Sequence, residues 1–108
     1  MNPLSSLPLE LDYTAMVAYR ERAEERLSEW QNKKKEMQRM ARVRGVDATA
    51  AFRELERRVR RDIARADDAC MELDRAGMQE WFAAKSELER AWEALDDLWM
   101  FWLSWQQP

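Results

Sequence analysis

Chemistry needs side chains that converge, and this chain offers few that can. Asp67–Asp68 and Asp96–Asp97 are adjacent carboxylate pairs, and Glu89, Glu93 and Asp97 recur at every fourth position. Neighbours on a helix diverge by about 100°, so neither aspartate pair aims at one proton or one metal ion. The Glu89–Glu93–Asp97 row reads most simply as a solvated acidic stripe. There is no histidine to share a proton with these carboxylates. Cys70 is the only cysteine, so no intramolecular disulfide is expected. Asp67, Asp68, Glu72 and Asp74 surround it in sequence, and their charges raise a thiol pKa rather than lower it. Two glycines do not make a phosphate-cradling loop. The expectation is a protein that is not an enzyme, with no catalytic residue, no cofactor and no metal.

Two other groups of residues point to binding. Arg53, Arg57, Arg61 and Arg65 follow one another at every fourth position, with Arg60 beside them. Like charges at that spacing repel by a few tenths of a kcal/mol per pair, about 0.2–0.5, so the row mildly opposes its own helix. Residues 33–65 hold 12 basic and 5 acidic side chains, whereas 1–32 hold 3 and 6 and 66–108 hold 3 and 10. The net charge of −3 therefore hides a strongly basic middle. Local potential, not net charge, selects partners. Arg53, Arg57, Arg60 and Arg61 are the candidates for contact with an acidic protein surface or with nucleic acid phosphates. The competing reading is a solvated face neutralised within the protein, through Glu54–Arg58, Glu56–Arg60 and an approach of Arg65 to Glu87 or Glu89.

Tryptophan gives the stronger pointer. Four of the six, Trp92, Trp99, Trp102 and Trp105, lie close to the C-terminal end. The run Leu98–Trp105 is apolar nearly all the way round. A helix in a three-helix bundle buries one broad stripe, which Leu98, Trp102 and Trp105 already occupy. Trp92, Trp99, Met100 and Leu103 then form a second apolar surface. These four are the candidate contact residues for a protein partner or for a second copy of the chain. The leucines at 4, 7, 9 and 11 offer an alternative cover for them.

These candidates need long helices to carry them. The first apolar line, Met16, Ala23, Trp30 and Met37, recurs every seven residues, with Tyr13, Arg20, Leu27, Lys34 and Ala41 on the alternate line. Asp12 suits an N-cap and Gly45 a left-handed C-terminal stop. A second helix is expected to open with Asp47 as its cap. Its seam reads Phe52, Leu55, Val59, Asp62, Ala66, Ala69, Leu73 and Ala76, with Ile63 and Cys70 on one shoulder. The third seam, Trp81, Ala84, Leu88, Ala91, Leu95, Leu98, Trp102 and Trp105, is apolar throughout. Strand folds need turn residues every 8–12 positions, which 2 glycines and 3 prolines cannot supply.

The sequence thus predicts an all-α fold: an elongated up-down-up bundle of three long antiparallel helices over about 13–44, 48–75 and 78–105. Together they make one domain, 12–108, behind an extended arm at 1–11. In size and layout, with Trp30 in the first helix, it resembles a single spectrin-type repeat; the resemblance is architectural. A second arrangement fuses two helices into a rod whose core is completed by dimerisation, and position 77 decides between them. No apolar run approaches the roughly 20 residues that span a bilayer, and residues 1–11 lack a basic, signal-like start. A cytoplasmic location is expected. Arg outnumbers Lys 14 to 4, a compositional pointer to a GC-rich bacterial or phage genome. The functional expectation is a non-enzymatic protein–protein interaction module, a small adaptor, chaperone or inhibitor. It would act through its Trp-rich C-terminal helix and basic tip, with a homodimer as one outcome. The alternatives are a nucleic-acid-binding accessory protein using the Arg row, and a structural subunit of a larger assembly.

Overall fold

The computed structural model describes residues 13–75 and 77–105. The arm at 1–11, the cap expected at Asp12 and the seam position Ala76 lie outside them. Three helices follow one another: α1 (Tyr13–Arg44, 32 residues), α2 (Ala50–Arg75, 26 residues) and α3 (Met78–Trp105, 28 residues). They form an elongated bundle of 63 × 26 × 17 Å in which α2 packs against both of the others.

Each helix buries the line its periodicity marks. Ala23, Trp30, Met37 and Ala41 are the buried residues of α1. Phe52, Leu55, Val59, Ala66, Ala69 and Leu73 are buried on α2, with Ile63 and Cys70 on its shoulder. Trp81, Ala84, Leu88, Ala91, Leu95 and Trp102 come from α3, while Leu98 and Trp105 pack half-buried against them. Tyr13 departs from the expected seam and stands exposed at the start of α1.

The α1–α2 turn follows from backbone hydrogen-bonding needs. Gly45 takes φ +73°, the left-handed region where a Cβ is penalised. Its N–H donates to the Arg42 carbonyl at 3.1 Å, and the Val46 N–H donates to the Ala41 carbonyl at 2.9 Å. This Schellman pair satisfies two of the carbonyls that α1 leaves open. The cap of α2 is Thr49, not the expected Asp47. Thr49 Oγ1 accepts the Phe52 N–H at 3.2 Å and donates to the Val46 carbonyl at 2.7 Å. The Val46 carbonyl also accepts the Thr49 N–H at 3.0 Å, a turn that carries the chain past Asp47, and α2 opens at Ala50 rather than 48.

The second turn is also a break, as the three-helix arrangement expects. Gly45 is the only described glycine with positive φ, so Gly77 is not a left-handed stop. The Gly77 carbonyl accepts the Trp81 N–H at 2.8 Å, which makes Gly77 the N-cap of α3. Glu80, at the third helical position, folds its carboxylate back over Gly77, in the placement of a capping-box acid. Helices α2 and α3 are therefore a hairpin, not one rod.

Helix spacing is unequal. The α2 and α3 backbones approach most closely, α1 and α2 less, and α1 and α3 barely. Buried alanines explain the close pair: Ala66 and Ala69 on α2 meet a helix whose seam carries Ala84 and Ala91. Between α1 and α3 the gap is wider, and large rings fill it.

Candidate interaction surface

The wide α1–α3 gap decides where the tryptophans go. Tyr19 meets Trp81 edge-on at 5.6 Å, and Trp30 meets Trp99 edge-on at 6.1 Å. The Arg26 guanidinium lies 4.9 Å above the Trp92 ring and is held there by Asp96 at 3.1 Å. The Lys33 ammonium sits over both Trp30 and Trp99, at 4.5 and 5.2 Å. Trp92 is only 6% exposed. The expectation that Trp92 and Trp99 have no partner inside the bundle is therefore corrected: Trp92 belongs to the core, and Trp99 is half-buried against α1. A closely packed bundle would have left them outside. The stand-off of α1 brings them in.

Met100 and Leu103 do stay outside, at 65% and 40% exposure, and Phe101 joins them at 58%. Phe101 was not among the sequence candidates; its place in the all-round apolar run was the available signal. It leans against Trp105 at 6.2 Å and forms one wall of a shallow groove of about 430 Å³ between α2 and α3, above Ala51, Leu55 and Leu98. Arg58 and Asp97 stand on its rims. The segment Leu98–Trp105 contains no charged residue. In sequence it belongs to the acidic third, but the bundle sets it against the basic middle. Arg44 and Val46, at the α1–α2 turn, line a small cavity together with Trp102 and Trp105.

Most of the Arg row is neutralised in place. Arg57 forks onto Glu54 at 3.0 and 2.8 Å, and Arg58 shares the same carboxylate at 2.8 Å. These two guanidinium groups, Arg57 first, hold the Glu54 carboxyl down to about 2. Arg60 lies 3.7 Å from Glu56, and Arg65 bonds Glu87 across the hairpin at 2.7 Å. Arg65 lowers the Glu87 carboxyl correspondingly. Arg61 Nε and Arg65 Nη1 each reach Asp62 Oδ1 at 3.4 Å. Of Arg53, Arg57, Arg60 and Arg61, only Arg53 has no ion pair among the described residues.

Burial, then Glu24, Asp67 and Asp74, push the Cys70 thiol up to about 11, far from a reactive thiolate. Tyr19 donates to Glu89 at 3.2 Å, and burial first, then that carboxylate, raises its hydroxyl to about 12. Among the described residues no group of three or more cysteine, aspartate or glutamate side chains is placed to hold a metal ion, and no helix is long and apolar enough to cross a membrane. Asp62 is 1% exposed, and its Oδ2 has no hydrogen-bond partner.

No family model, no curated protein and no solved structure matches this chain.

Proposed function

We propose that the chain is a non-enzymatic protein–protein interaction module, a small adaptor, chaperone or inhibitor of the cytoplasm. It binds through the last two turns of α3 and the basic end beside them. The supporting observation is the exposure of Met100, Phe101 and Leu103 on a charge-free helix end whose core positions are already filled by Leu95, Leu98 and Trp102. Large apolar side chains in that setting are enriched among interface hot spots, where truncation costs about 2 kcal/mol or more. Cations at the α1–α2 turn favour a partner with acidic residues around its apolar contact. The nucleic-acid reading loses support, because three of its four arginines, Arg57, Arg60 and Arg61, pair with Glu54, Glu56 and Asp62.

The test is affinity capture from the native host with wild type, Leu103→Glu and Met100→Asp, each first checked for unchanged helicity. A protein retained by wild type and lost from both variants supports the reading. Capture of the same proteins by all three would refute it. Retention of nucleic acid in place of protein would move the assignment to the Arg row.

A further inference from the structure

One broad face of the bundle, formed by α1 and α2 and left uncovered by α3, sorts its unpaired charges by sign. Lys35 and Arg42 on α1 and Arg53 on α2 are exposed and form no ion pair among the described residues. Toward the other end, Glu21 and Glu24 on α1 and Asp67 on α2 are in the same condition. Arg42 and Glu24 lie about five turns apart on the same side of α1, and Arg53 and Asp67 lie within about 40° of one another around α2. The seam beside this face is marked by the Gln38–Glu56 hydrogen bond at 2.7 Å and the Arg20–Asp74 ion pair.

The placement of these charges contains a symmetry. The midpoint between Arg42 and Glu24 falls at Lys33. The midpoint between Arg53 and Asp67 falls at Arg60. The register set by Gln38–Glu56 and Arg20–Asp74 puts Lys33 and Arg60 on nearly the same level of the hairpin. A single two-fold axis across the face at that level would therefore set Arg42 opposite Glu24 of a second copy and Arg53 opposite its Asp67. The same operation brings exposed Met71 to Thr49, the cap of α2, between Ala48 and Ala50. Ser28, Gln31 and Ala64 lie near the axis and bring no charge. Two cations lie close to it: Lys35, which has no ion pair among the described residues and falls opposite Gln31 of the second copy, and Arg60, which Glu56 neutralises within its own copy.

We propose that two copies of this chain dock antiparallel through the α1–α2 face, the basic end of each lying on the acidic end of the other. A two-fold contact of this kind must be self-complementary, which is the property the charge order supplies. The contact is charge-driven and salt-sensitive, and it leaves the exposed end of each α3 free. It draws on cations of the same basic end but not on Met100, Phe101 or Leu103, so the two readings can fail separately.

Sedimentation velocity reads the outcome. Raising salt from about 0.01 M to about 1 M shortens the screening length from about 30 Å to about 3 Å, and wild type should pass from dimer to monomer. Arg42→Glu/Arg53→Glu and Glu24→Arg/Asp67→Arg should each be monomeric at low salt, with helicity retained because all four positions are exposed. An equimolar mixture of the two variants should dimerise, since one then presents acids at both ends and the other cations at both. A single chain carrying all four changes should dimerise as wild type does. A wild type that is monomeric at low salt would overturn the proposal, as would a failure of the mixture to recover the dimer. If Leu103→Glu abolished the dimer instead, the interface would lie on α3 and the proposal would also fall.

Discussion

Replacing Trp92 with alanine separates a core role from a surface role for the aromatic residues of α3. The ring is 6% exposed and carries the Arg26 guanidinium at 4.9 Å. Truncating a buried tryptophan costs about 3–5 kcal/mol through lost burial and the cavity left behind. Losing the cation–π contact adds about 0.5–1 kcal/mol, because Arg26 lies near the solvent-exposed edge of the gap. Domains of this size are stable by about 5–15 kcal/mol in total, so the variant should be marginal. At about 4–8 °C per kcal/mol its melting temperature should fall by about 15 °C or more. The assay is urea denaturation followed by circular dichroism at 222 nm, with Trp92→Phe expected to recover roughly half of the loss. A cost below about 1 kcal/mol, with the same urea dependence as wild type, would refute the placement of Trp92 in the α1–α3 gap and return it to the surface.

Other consequences are equally direct. Gly45→Ala should destabilise by about 1–2 kcal/mol, because φ +73° penalises a Cβ, whereas Gly77→Ser at the N-cap of α3 should be neutral or stabilising in the same urea titration. Asp62→Leu should raise stability by about 1 kcal/mol or more, since it replaces a 1% exposed carboxylate whose Oδ2 is unpaired; a loss would show that the long contacts of its Oδ1 with Arg61 and Arg65 outweigh the cost of burying it. Cys70 should resist alkylation at pH 8 in the folded protein and react on unfolding, and rapid labelling of the native state would contradict its burial. Glu36, Glu54 and Glu87 are held below their ordinary values by Arg39, Arg57 with Arg58, and Arg65. Their contribution is present above the unfolded carboxylate range and is lost as pH falls through the folded values, which for Glu54 reach about 2. Thermal stability should therefore decline between about pH 5 and pH 2, and a stability that rose with acid would contradict these pairings.

Much of the fold was legible because helical period is a one-dimensional signal. The heptad line of α1 and the seams of α2 and α3 each name the residues one helix must hide. Gly45 was readable as a stop for the same local reason. The α2 cap was not, since Asp47 and Thr49 are both good capping residues and the hydrogen bonds of the turn at Val46 decide between them. Gly77 was readable as a break but not as a cap, because glycine serves both ends of a helix. The tryptophans were misplaced for a different reason. Periodicity says which side of α3 carries Trp92 and Trp99, but not how far away α1 stands. That distance depends on alanines in another interface, Ala66, Ala69, Ala84 and Ala91, which draw α2 and α3 together and leave α1 to be met by large rings. The arginine pairings were partly legible: Glu54–Arg58 and Glu56–Arg60 follow from spacing, and Arg65–Glu87 from the hairpin. The second partner at Glu54, Arg57, was not among the expected pairs.

Photo-crosslinking in the native host tests the functional account most directly. A photoreactive phenylalanine analogue at Leu103, and separately at Trp92, samples the exposed end of α3 and the ring buried against α1. The account predicts a discrete adduct with a second protein from position 103, lost when Phe101→Ser is added, and no intermolecular adduct from position 92. Adducts of equal yield from both positions, or none from position 103, would contradict it.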